Sequence, residues 1–348
     1  MTSPRPHEFG VFLPVANGGW IISSATPPLD GLWKQNLAAA VTADEVGMDF
    51  VMSMGKWRGF GGDTSHWGTS LEAVTLMAGI AAVTKRVKLW ATLHVILHNP
   101  AVAAKIIATL DRISGGRAGL NIVAGAYRGE FEQMDAWDAK LDHDARYDLT
   151  EEWTQIVKRL WREPEVSFDG KYFTFKDCVS EPKPVHPPFL ICAGMSRRGF
   201  DFSVREADGC FIGGRDAAET RAASLRAKTL AADLGKQIRT YCMMTVITAD
   251  TDAQAQGKAD AYREGLDEGA VAGMLQSYGV EGNAMTARAQ GAFMTQTVIG
   301  APATCAAGIE QFLRDCDIDG LMFIYDDYAH GLRVTGREIL PRLRQAFA

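Results

Sequence analysis

Polar residues that lie just past apolar runs of strand length are the ones whose types and spacing could do chemistry in this chain. Asn17 and Trp20 follow the first such run, Ser53, Lys56 and Arg58 the second, and Thr92, His94 and His98 the third. Asn121, Tyr127 and Glu130 follow the fourth, Ser196, Arg197 and Arg198 the fifth, and Tyr325, Asp326 and Asp327 the last. The set mixes hydroxyls, amides, cations and aromatic rings. It contains no nucleophile elbow of the G-x-S-x-G type and no H-E-x-x-H helix.

Each group has a plain structural use beside a chemical one. Ala193-Gly194-Met195-Ser196-Arg197-Arg198 runs from a strand through glycine into a helix start. Backbone N–H groups, a hydroxyl and two guanidinium groups there suit a phosphate; Ser196 as an ordinary helix cap with solvated arginines is the alternative. Arg146-Tyr147 opens a helix, where an arginine runs against the helix dipole and so asks for an anionic partner, unless it is a surface residue. His94 and His98 are four apart at a strand end with no third ligand in view, which favours a pocket histidine and a loop histidine over a metal pair. Asp326 and Asp327 are adjacent, so at most one faces a pocket, and helix capping is the simpler use. Trp20, Trp57, Trp67 and Tyr127 lie in these loops and suit a flat aromatic ligand or a subunit interface.

The stretch from Leu110 to Met134, LDRISGGRAGLNIVAGAYRGEFEQM, shows how such residues must be positioned. An apolar helix closes at Ile113, Ser114 to Arg117 turn, Ala118 to Ala124 form a small-residue strand, and Gly125 opens a charged loop. A buried strand that empties into a loaded loop is how α/β enzymes present chemistry at the carboxyl ends of their strands. Strand-length runs occur at Phe9–Val15, Asp49–Met54, Val87–Thr92, Ala118–Ala124, Phe189–Ala193, Gly209–Ile212, Arg239–Thr248 and Gly320–Tyr325. Helical periodicity separates them, at Leu32–Val46, Leu71–Val83, Pro100–Ile113, Tyr147–Trp161, Arg221–Leu234, Ala253–Glu268, Pro302–Cys316 and Val334–Phe347. This predicts a (β/α)8 TIM barrel forming one domain over residues 1–348. A doubly wound open sheet is the alternative, but no G-x-G-x-x-G follows the first strand. Two insertions interrupt the rhythm. Residues 164–188 contain a hairpin turning at Asp169-Gly170, and residues 269–297 read as a partly helical lid.

A net charge of −6 with both signs dispersed speaks against nucleic-acid and membrane-surface partners and for a small molecule. The six cysteines are scattered, without C-x-x-C spacing, and read as reduced core residues of a cytoplasmic protein. No signal-peptide pattern opens the chain, and no apolar run approaches the roughly 20 residues that span a bilayer.

The sequences FGVFLPVANGGW, FVMSMGKWRGFGG, LDRISGGRAGLNIVAG, EFEQM, RYDLTEEW, ICAGMS, VIGAP and GLMFIYDDY, in this order, resemble the bacterial luciferase-like superfamily of two-component flavin-dependent monooxygenases. Within it they are most similar to the pyrimidine (uracil) monooxygenase branch. The resemblance implies a luciferase-like barrel that takes reduced FMN (FMNH2) from a separate flavin reductase, which draws on NAD(P)H. With O2 the enzyme would oxygenate a small heterocyclic amide through a flavin peroxide or flavin N-oxide. Carried over by motif, the flavin contacts are Gly55, Lys56, Asn121, Glu130, Arg146, Tyr147 and Ser196, with the last three at the phosphate. Thr92 and Asn121 would lie beside the reactive edge of the flavin, and a homodimer or homotetramer is implied.

Two positions depart from the branch. Ala126 and Tyr127 stand where a tryptophan and a glutamine are expected, and His94-Val95-Ile96-Leu97-His98-Asn99-Pro100 replaces a threonine-rich segment. The first change implies a larger or differently shaped substrate, and the second offers His94 as a new donor or base. The His-Asn-Pro form is closer to the organosulfur (sulfone and sulfonate) branches. A deazaflavin (F420) oxidoreductase and a non-catalytic flavin binder complete the alternatives.

Overall fold

The computed structural model describes residues 6–125, 127–278 and 284–347. Eleven strands are present among them: β1 (Glu8–Phe12), β2 (Phe50–Met52), β3 (Lys88–His94), β4 (Ala118–Val123), β5 (Val166–Asp169), β6 (Thr174–Cys178), β7 (Phe189–Cys192), β8 (Gly209–Phe211), β9 (Arg239–Thr248), β10 (Gln296–Gly300) and β11 (Gly320–Tyr325). Parallel pairing runs β1-β2-β3-β4-β7-β8-β9-β11 and returns to β1, which closes an eight-stranded barrel with helices between its strands. The eight strands expected from the sequence are these eight. An open sheet is thereby ruled out.

Alternation along the strands separates two cores, because successive side chains of a strand point to opposite faces. Phe9, Val11, Val51, Leu89, Ala91, Leu120, Leu190 and Phe323 point outward beneath the helices. Phe12, Phe50, Met52, Trp90, Ile191, Tyr241 and Met322 fill the interior. Trp90 stacks on Phe50 at 3.8 Å and on Phe189 at 5.3 Å, with Tyr241 edge-on at 5.2 Å. Glycines make room for this plug: a Cβ on Gly10 would fall 2.3 Å from the Phe50 ring, and one on Gly119 2.5 Å from Trp90. The barrel therefore has a solid aromatic floor, and chemistry is confined to its carboxyl end.

Three expectations need correction. The segment 269–297 is partly helical, at Glu268–Tyr278 and Ala284–Ala289, but it ends two residues earlier than expected, since Gln296–Gly300 form β10, a ninth parallel strand on β9 outside the ring. β9 is ten residues long, so Met244–Thr248 can serve β10 while Tyr241–Val246 pair with β11. The helix expected from Tyr147 starts four residues earlier, at His143, where the Asp142 carboxylate accepts from Ala145 N. Arg146 thus sits inside the first turn and does not open the helix. Tyr325 points outward against Phe323 and Tyr328, away from the barrel mouth.

The hairpin β5/β6 is antiparallel as expected, with its turn closed by Gly170 N donating to Phe173 O. The helix Glu268–Tyr278 lies against the loop after β2. A Cβ on its Gly273 would meet the Phe60 backbone, and Asp267 accepts from Thr64 N and Oγ1 at 2.7 Å. Its Ala270, Val271 and Met274 share a buried cluster with Trp20, Phe60 and Trp67. All six cysteines are free, five of them buried. No helix among the described residues is long and apolar enough to cross a membrane.

Candidate active site at the carboxyl end of the barrel

Parallel register sets Thr92 of β3 beside Asn121 of β4, both on the interior face above Trp90. The Thr92 hydroxyl donates to Ser53 O at 2.5 Å and accepts from Asn121 Nδ2 at 3.0 Å. This fixes the amide: Nδ2 is turned to Thr92, and Oδ1 is left buried with no partner among the described residues. An orphaned buried acceptor costs free energy, so it marks a place where a donor is meant to arrive.

The loops after β2 and β4 contribute a buried ion pair at the same end of the barrel. Lys56 Nζ stands 3.3 Å from Glu130 Oε2, with both side chains almost fully buried. The same ammonium lies over the rings of Phe60 (4.7 Å), Tyr127 (4.7 Å) and Trp67 (5.6 Å). Burial pushes the Lys56 pKa down and Glu130 opposes the shift. Glu130 Oε1 also accepts from Trp57 N at 2.5 Å, so the short helix Arg128–Glu132 is tied to the loop after β2.

His94 ends β3 on the same inner face. It is buried, its ring edge-on to Phe131 at 5.1 Å, and a Cβ on Gly55 would come within 2.7 Å of its Cε1. Trp57 Nε1 donates to its Nδ1 at 3.3 Å, and burial, then the Lys56 charge, lower its pKa to about 3. His98 turns back to place Nδ1 2.9 Å from His94 O, and no metal-binding cluster occurs among the described residues.

Tyr147 and Ser196 come together on the far side. Tyr147 is half-buried and hydrogen-bonded to Ser196, its phenol pushed up to about 12 by burial. Ser196 caps the helix Arg197–Glu206 by accepting from Gly199 N at 3.0 Å. Arg198 is committed to Asp148 and Glu151, at 2.9 and 2.8 Å. Arg146 lies near enough for its charge to act on the Tyr147 phenol but makes no hydrogen bond to Tyr147 or Ser196. It stacks over Trp137 at 4.6 Å, donates to Leu141 O, and lines a cleft of about 380 Å³ with Val95–Asn99, Trp137 and Phe173.

The remaining candidates resolve into structure. Asn17 bonds to Thr64 O, Ser65 O and Thr69 N, which holds two loops together. Asp327 caps the helix Tyr328–Val334, and Asp326 is buried against Lys258 at 2.5 Å and Tyr262 at 2.7 Å. Trp20 and Trp67 are buried against each other at 5.1 Å within their own chain. Ala126 lies outside the described residues. The sequence suited Trp57 to a flat ligand or a subunit interface and did not single out Phe131. The stretch after Gly125 reads as a charged loop, whereas the structure forms the short helix Arg128–Glu132 there and ties it back to Trp57.

A sequence model described as Luciferase-like monooxygenase matches residues 7–319. The chain belongs to this family. It is 35% identical over 347 residues to Pyrimidine monooxygenase RutA of Variovorax paradoxus, covering 96% of this chain and 94% of that protein. Among solved structures, riboflavin lyase (RcaE) with modified FMN and riboflavin superposes with a TM-score of 0.86 at 18% identity, covering 98% of this chain and 92% of the other. DmoA from Hyphomicrobium sulfonivorans gives 0.82 at 18%, covering 98% and 88%. As a luciferase-like monooxygenase the chain is an enzyme of a flavin-dependent family acting on a small molecule, as its sequence motifs led us to expect.

The residues present fit a reduced flavin. A flavin ring in that state carries N–H groups that the orphaned Asn121 Oδ1 could accept, and the buried Lys56–Glu130 pair offers polar contacts in an otherwise aromatic chamber.

Proposed function

We propose that this enzyme is an FMNH2- and O2-dependent monooxygenase of a pyrimidine-like cyclic amide, served by a separate NAD(P)H-dependent flavin reductase. The observation that carries the reading is the buried, partnerless Asn121 Oδ1, fixed by Thr92 above a closed aromatic floor. The likeness to RutA over nearly the whole chain supports the substrate class.

Within this reading, Gly55, Lys56, Asn121 and Glu130 hold the ring of the cofactor, and Tyr147, Ser196 and Arg146 serve its phosphate end. Bound reduced FMN supplies the electrons that activate O2. The chain's own residues bind, orient and keep water away. Asn121 holds its acceptor toward the ring, and its second amide hydrogen is free to stabilise charge that develops nearby. The Thr92 hydroxyl proton is committed to Ser53 O, so Thr92 acts by orienting Asn121. His94 closes the same inner face. Trp20, Phe60 and Trp67 above and Trp90 below exclude water from the chamber.

The test is turnover of uracil under 18O2 with FMN, a flavin reductase and NADH. One 18O atom in a ring-opened product is expected. Oxygen consumption that leaves uracil and other cyclic amides intact would remove the pyrimidine assignment and favour the organosulfur alternative. Indifference to FMN with tight F420 binding would remove the flavin assignment as well.

A further inference from the structure

We propose that Trp57 is a positioning residue that locks His94 as a neutral Nε2–H donor, so that the substrate atom seated against His94 must be a hydrogen-bond acceptor such as a carbonyl oxygen. The acceptor part rests on the function proposed above, whereas the lock stands on geometry alone.

An indole N–H can only donate. Because Trp57 Nε1 donates to His94 Nδ1, that nitrogen must carry a lone pair, and a neutral ring then bears its single proton on Nε2. Nε2 has no partner among the described residues.

The donor is itself held on both sides of its backbone. Trp57 N donates to Glu130 Oε1 at 2.5 Å, and Trp57 O accepts from Gln133 Nε2 at 2.8 Å. The acceptor is held as firmly, by Gly55 against its Cε1, by Phe131 at its edge and by His98 at its carbonyl. Two clamps therefore converge on one hydrogen bond.

The ionisable groups around the ring are Lys56 from the loop after β2, His98 from the turn after β3, and Glu130, which pairs with Lys56. A cation at Lys56 and burial both oppose a second proton on the ring. His94 then neither accepts a proton as a base nor offers a positive charge to an anionic substrate. Of the two roles the sequence left open for it, donor and base, the geometry selects donor.

The experiment is a 15N NMR spectrum of histidine-labelled enzyme between pH 6 and 8, with His94 assigned by its loss in His94→Gln, for wild type and Trp57→Phe. The wild type should show His94 protonated at Nε2 and bare at Nδ1 across the range. Trp57→Phe keeps an aromatic ring and removes the N–H, so it should give mixed tautomers and unchanged affinity for reduced FMN. With uracil as the probe substrate, kcat/KM should fall about fivefold to tenfold, and a shift of the His94 Nε2–H signal should accompany uracil binding in wild type.

A wild-type His94 protonated at Nδ1 would overturn the inference whatever the activity. So would a Trp57→Phe enzyme that retains both the single tautomer and full turnover. Failure to process uracil would instead strike the proposed function, and the tautomer spectrum would still decide the lock.

Discussion

Two cations at opposite ends of the barrel wall, Lys56 buried and Arg117 half-buried, have very different surroundings. Arg117, at the amino end of β4, spends its guanidinium on backbone and hydroxyl oxygens: Nε on Ser114 O, Nη1 on Val87 O and Thr84 Oγ1, and Nη2 on Ala81 O and Thr84 O, all between 2.8 and 3.1 Å. It ties the ends of the helices Ala73–Val83 and Pro100–Ser114 to the starts of β3 and β4, and nothing remains for a ligand. Lys56, at the carboxyl end, has a single carboxylate partner at 3.3 Å and three aromatic faces. At the same end Asn121 has an unpaired oxygen. One end is saturated and serves the fold; the other is left short of partners and waits for chemistry.

Variants can break this contrast, and the largest effect is expected at Glu130. Glu130→Ala leaves Lys56 buried without its counter-charge, which should cost about 3–5 kcal/mol of stability, read by chemical denaturation, together with weaker binding of reduced FMN. Asn121→Ala should leave the melting temperature nearly unchanged and weaken reduced-FMN binding by only a few-fold. Product formation in that variant should drop by the equivalent of about 2.7–4 kcal/mol, read by turnover. Arg117→Lys should do the reverse: it forfeits most of the five bonds, lowers stability by about 2 kcal/mol, and leaves turnover per folded enzyme intact. A turnover loss in Arg117→Lys as large as that in Asn121→Ala would erase the distinction between the ends.

The smallest effect is a dependence on pH. Burial lowers His94 to about 3 and His66 to about 4, and His66 has neither ring nitrogen partnered. Both are held below the unfolded value near 6.5, so their stabilisation is complete above about pH 6.5 and is lost as pH falls toward those values. Stability should decline below pH 6 by roughly 1–2 kcal/mol per pH unit, and His66→Phe should reduce that slope without moving the turnover profile.

Much of this was legible in the residues. The alternation of apolar strands with amphipathic helices specified the closed barrel, and Thr92, His94, Asn121 and Glu130 could be picked out because each follows a strand-length run. Partnership was not legible, because it depends on loops that meet only in space. Arg198 reads as a phosphate ligand until Asp148 and Glu151 are seen beside it. The SGGR segment reads only as a turn, and that its Arg117 bonds to Ala81, Thr84 and Val87 shows only in space. β10 was hidden because Gln296–Gly300 gain their partner only from the overlength of β9.

The contrast between the two ends is most directly tested by anaerobic titration with reduced FMN, followed through the histidine NMR signals. His94 lies at the carboxyl end, and His186 lies beside Gly116 at the amino end. Saturable binding of reduced FMN that shifts the His94 signal and leaves His186 in place is the predicted result. Absence of binding, or a shift of His186 with His94 unmoved, would contradict the placement of chemistry at the unsaturated end.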